Sequence, residues 1–132
     1  LYETYAKTIN IEALTMIDMA SKQIIPAVVK YTKSLADTVI AVREAGADAS
    51  AQTEILKAVS EKLSAMKSAL GKLEEVESKA GTIGNAKEQA FYYKDAVKVA
   101  MDVLRAPADE AEMLVDKKVW PLPTYGDLIF EV

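Results

Sequence analysis

Histidine and cysteine are both absent from this 132-residue chain. Without histidine there is no imidazole general base, no Ser-His dyad and no imidazole ligand for zinc or a carboxylate-bridged di-iron centre. Without cysteine there is neither a disulfide framework nor a thiolate metal site, which agrees with a reducing, cytoplasmic setting. Positive charge is in short supply as well. Sixteen Lys and Arg face twenty Asp and Glu, a net charge of −4, which argues against a nucleic-acid partner, since that would want a basic face. No uncharged run approaches the roughly 18 apolar residues of a membrane span. No charged segment followed by an apolar stretch marks a signal peptide at the N-terminus.

What is present is a good supply of core material: 51% of the residues are hydrophobic and 27% charged, enough for one packed domain over 1–132. The chain opens Leu1-Tyr2-Glu3-Thr4-Tyr5, without a methionine and already in helical pattern, as a fragment cut from a larger protein would.

Three long periodic segments are separated by two short glycine-containing breaks. The spacing predicts a first helix over about 3–44, with Ile9, Ala13, Ala20, Ile24, Tyr31, Leu35, Val39 and Val42 recurring at helical intervals. Pro26 removes an N–H and crowds a carbonyl, so one bent helix is expected rather than two. Gly46 stops it, and Asp48 or Ser50 can cap the next. The second helix, 50–80, shows the cleanest heptad: Leu56, Leu63 and Leu70 at one core position, and Val59, Met66, Leu73 and Ala80 at the other. Lys and Glu fill the remaining places. Asn85 with Glu88 opens a third helix over 85–118 in a capping arrangement. Its seam is Ala90, Tyr93, Val97, Ala100 or Met101, Leu104, Ala111 and Leu114 or Val115; Pro107 should kink it, and Lys117 and Lys118 suit its negative end. Short turns between long helices imply an elongated, antiparallel, all-α bundle. The tail 119–132 carries two prolines yet is rich in large apolar residues, so it should run extended and dock.

Carboxylates are the remaining candidates for chemistry. Asp109, Glu112 and Asp116 share one face of the third helix with Glu110 beside them, the oxygen-ligand pattern of a divalent-cation site. Rigid helical carboxylates alone make a poor cage, and a solvated acidic face explains them better; Glu74, Glu75 and Glu77 make a weaker case still. Gly81-Thr82-Ile83-Gly84-Asn85 precedes a helix, as an anion cradle would, but it follows a helix rather than a strand and lacks the P-loop lysine. It reads as an interhelix turn. No catalytic, cofactor-binding or metal-binding residue is therefore assigned.

Two features point to contacts instead. The first helix is apolar around most of its circumference, with Ile11, Leu14, Ile25 and Val29 beyond what two companion helices would cover. In Phe91-Tyr92-Tyr93 three successive rings spread over about 200° of a helix, so Phe91 or Tyr92 must face away from the Tyr93 seam. With Trp120, Tyr125 and Phe130 of the tail, these residues form the candidate interface.

Thr8-Ile9-Asn10-Ile11-Glu12-Ala13-Leu14-Thr15-Met16-Ile17-Asp18-Met19-Ala20, Pro26-Ala27-Val28 and Tyr31-Thr32 resemble the C-terminal region of type III glutamine synthetases. So do Tyr92-Tyr93-Lys94-Asp95, Leu104-Arg105-Ala106, Ala108-Asp109-Glu110 and the specific ending Trp120-Pro121-Leu122-Pro123-Thr124-Tyr125-Gly126-Asp127-Leu128-Ile129-Phe130. The likeness spans the chain apart from its generic middle helix. It implies a parent enzyme joining ammonia to glutamate with ATP and Mg or Mn, in a large ring-shaped cytoplasmic homo-oligomer. The family's catalytic residues would lie upstream, and none falls on these positions. The expected partners are then the catalytic domain of the same chain and neighbouring subunits. On these the non-catalytic segment would serve assembly, stability or regulation, or gate access to the active site, through its first helix and tail. An independent coiled-coil interaction module is the alternative, and a small enzyme or metal protein built on the acidic face a more distant one.

Overall fold

The computed structural model describes residues 1–123; Tyr125 and Phe130 lie outside the described residues. All regular structure among them is helical. The first helix runs unbroken over 2–44 as Tyr2–Met19, a π turn at Ala20–Ile24 and Ile25–Glu44. The second is Ser50–Ala80. The third covers 86–114 as Ala86–Tyr92, a π turn at Tyr93–Val97 and Lys98–Leu114. At 1.5 Å per residue these reach about 64, 46 and 43 Å.

Local chemistry accounts for each boundary. The first helix ends where Gly46 takes φ +82°, a left-handed conformation that glycine adopts without penalty. Asp48 then accepts hydrogen bonds from the backbone N–H of Ser50 at 2.9 Å and from its hydroxyl at 2.5 Å, fixing the chain's entry into the second helix. Asn85 caps the third helix by accepting the Glu88 N–H at 3.0 Å. That helix stops at Leu114, ahead of Lys117 and Lys118, with Val115 in extended backbone. The Asp116 carboxylate accepts the Lys118 N–H at 2.8 Å, a local bond that competes with helix continuation.

Both prolines sit within continuous helix. The π turn ends two residues before Pro26, where the Ile25 N–H reaches back five residues to the Ala20 carbonyl. Pro107 lies inside Lys98–Leu114 and is buried.

The second helix packs along both others. Lys62 pairs with Glu110, and Lys79 lies over the Tyr92 ring at 5.6 Å, so the second and third helices run in opposite senses. Tyr2 meets Phe91 and Asn10 meets Tyr93, so the first helix starts level with the third and runs alongside it. Val59, Met66, Leu73, Val28, Val97 and Leu104 are fully buried where the three meet. After the third helix the chain turns back into this core through Val115 and Trp120, with Tyr31, Leu35, Val119 and Leu122 packed against it.

Candidate interaction surfaces

Among the described residues no three carboxylates gather as a metal site. The acidic face of the third helix is dispersed over separate roles: Glu110 pairs with Lys62, Asp116 holds the Lys118 N–H, and Asp109 stands at the edge of a groove. The Gly81–Asn85 segment is closed on itself. Thr82 bonds the Lys79 carbonyl through its hydroxyl at 2.7 Å, and Gln89 donates to the Ala80 carbonyl at 3.0 Å.

One carboxylate is buried. Glu77 is 9% exposed, and its Oε2 has no hydrogen-bond partner. Desolvation pushes its carboxyl above the ordinary range, because burial disfavours the charged form. The nearby Tyr93 hydroxyl donates to Asn10 Oδ1 at 3.3 Å; burial, and then Glu77, raise the Tyr93 pKa. The sequence pattern contains the signal: Glu77 stands seven residues after Leu70, on the core position of Leu56 and Leu63.

The candidate interface residues fall into three groups. Ile11, Leu14, Val29 and Phe91 are 44 to 55% exposed, Phe91 beside Tyr2 with ring centroids 6.2 Å apart. Ile25 and Tyr92 are half-buried against the chain's own core. Trp120 is buried in that core, 8% exposed. Two further exposed apolar groups stand near them, with Ile40, Ile55, Met113 and Leu114 exposed elsewhere on the helices. Tyr2 and Tyr5 join Phe91 in an aromatic tip beside Leu1. Val99 and Val103, each more than half exposed, continue a stripe from Tyr92 and Ala96 along a groove shared with Ala69 and Val76. Their 4-3-4 spacing is legible in the sequence, one face over from the Tyr93 seam.

Long packed helices with exposed apolar surfaces are what the described residues present. Comparison with known proteins makes it more specific. Residues 1–43 match the family model described as the glutamine synthetase C-terminal domain. The whole chain is 37% identical to a glutamine synthetase of Butyrivibrio fibrisolvens, covering 19% of that protein. A glutamine synthetase of Bacteroides fragilis is 29% identical over 97% of the chain and 18% of its own length. A type-3 glutamine synthetase of Dictyostelium discoideum is 26% identical over 98% of the chain and 18% of its own length. The chain belongs to the glutamine synthetase family, as its C-terminal domain. It spans about a fifth of the length of these relatives. Among the described residues, no helix is long and apolar enough to cross a membrane.

Proposed function

We propose that this chain is the non-catalytic C-terminal domain of a type III glutamine synthetase, an elongated antiparallel bundle bent at its helical prolines that holds the enzyme's assembly together. The parent ligates ammonia to glutamate with ATP and Mg or Mn in the cytoplasm. Among the described residues nothing gathers to hold those groups: the chain has no histidine, and the third helix's carboxylates are dispersed among an ion pair, a backbone bond and a groove edge. The observation that carries the reading is the half-exposed apolar set Ile11, Leu14, Val29 and Phe91, which lies outside the core that the helices share. The aromatic tip beside Leu1 suits contact with the catalytic part of the same polypeptide, and the side surfaces suit neighbouring subunits.

Deleting these residues from the full-length enzyme tests this. The expected result is loss of the native assembly mass with a matching fall in activity; normal mass and normal kinetics would refute it. The coiled-coil module is the second reading, favoured by the Tyr92-Ala96-Val99-Val103 stripe. It requires the isolated chain to form a dimer whose helicity rises with concentration.

A further inference from the structure

The seam between the first and third helices is open along its middle. There lies a groove of about 490 Å³, floored by Met101 and Leu104 and walled by Ile11, Met16, Met19 and Ile24. Three of the chain's five methionines line it. Methionine is unbranched and polarizable, and it recurs on surfaces that accept another apolar side chain. From Ile11 to Ile24 the groove extends about 20 Å, the length of nearly four helical turns. Two helices running alongside each other, with an apolar trough between them, present the ridges and hollows against which one more helix packs.

The rim carries charge. Glu12 and Asp109 border the groove without an ion pair among the described residues, while the one rim cation, Arg105, is engaged by Asp102 at 3.3 Å. The rim therefore complements a lysine or arginine on an incoming segment. Residues 124–132 of this chain carry Asp127 and Glu131 and no base, the wrong charge for that rim. Position matters too. The groove begins about 15 Å along the first helix from Leu1 and leads away from the aromatic tip assigned to the same polypeptide.

We propose that this groove receives an amphipathic helix from a neighbouring subunit, apolar along the trough and carrying lysine or arginine opposite Glu12 and Asp109. This rests on the assembly reading above and names the surface and the chemistry that would serve it. The helix adds a fourth rod to the bundle and buries Met16, Met19 and Ile11.

The test places a photo-crosslinking benzoylphenylalanine at Thr15, which lines the groove, in the full-length enzyme, with the same probe at Lys67 on the second helix as a control. The expected result is an intersubunit crosslink from position 15 and none from position 67. Peptide mapping should place the captured residue in a base-flanked apolar helix. Reversing the rim with Glu12→Lys and Asp109→Lys together should reduce that crosslink at least tenfold, with helicity unchanged. A crosslink within one chain, 124–132 included, would overturn the proposal, as would no crosslink or one indifferent to rim charge. If deletion of the domain disrupts assembly while the groove gives no intersubunit product, the groove alone is wrong. If deletion leaves assembly intact, the reading beneath it fails as well.

Discussion

Glu77 continues the series Leu56, Leu63, Leu70 at an interval of seven, and the structure buries it where that series points. A carboxylate at a core position, with one oxygen unpartnered, costs free energy whenever it ionises. Tyr93 of the third helix lies close enough to feel its charge and bonds Asn10 of the first helix, and neither supplies a positive charge. Because the folded-state pKa lies above the ordinary 4.5, the folded protein holds the Glu77 proton longer than the unfolded chain does. Stability attributable to this group is therefore full below the ordinary value. It falls as pH rises through the window up to the raised value. Glu77→Gln keeps the shape and removes the charge, and should raise stability at pH 7 by about 1–2 kcal/mol. The gain should shrink toward nothing near pH 4, as thermal melts at the two pH values would show. The heptad made this position legible as core, whereas the identity of Glu suggested a solvated face. Pattern outranked residue type here because three helices converge on that position.

Among the elements, the rods and breaks follow from sequence chemistry, and the π turns only in part. Pro26 signals trouble in the first helix because it lacks an N–H, and a π turn ends just before it. Nothing comparable marks Tyr93–Val97, where a second π turn forms amid ordinary helix formers. Its placement beside Asn10 and Glu77 depends on packing across three helices, which local patterns do not encode. The third helix ends at Leu114 because Asp116 bonds the Lys118 N–H, a short-range competition that the apolar period over Leu114 and Val115 concealed. Trp120 looked like a docking residue on proline-interrupted chain, and it docks on its own core.

Two glycines separate the elements' needs. Gly71 lies inside the second helix, and a Cβ there would meet nothing within 4 Å, so Gly71→Ala should stabilise by about 0.5–1 kcal/mol. Gly46 also has open space around it but sits at φ +82°, so Gly46→Ala should destabilise by about 1 kcal/mol through backbone conformation alone. Urea midpoints of the two variants should move in opposite directions. Asn85→Ala removes the side-chain cap of the third helix and should cost about 1 kcal/mol in the same assay.

At the scale of the whole molecule, charge and burial assign different work to different faces. The three helices and the return of Trp120 bury a shared core that stays open at the groove between the first and third helices, and Leu14, Val29 and Phe91 lie outside it. Leu14 and Val29 lie on the first helix outside that core and contribute little to it. Replacing both with aspartate should leave the fold intact yet place two charges where a neighbouring surface excludes water, a cost of several kcal/mol at a buried contact. That separation of fold from assembly was legible as excess: the sequence showed a helix more apolar than two companions could cover. It pointed to Ile11, Leu14 and Val29, which stand half-exposed, but also to Ile25, which packs against the core. The most direct measurement is the assembly mass of the full-length enzyme carrying Leu14→Asp and Val29→Asp, by mass photometry, alongside its far-UV circular dichroism. The account predicts unchanged helicity with a smaller assembly. An assembly of wild-type mass with unchanged helicity would contradict it.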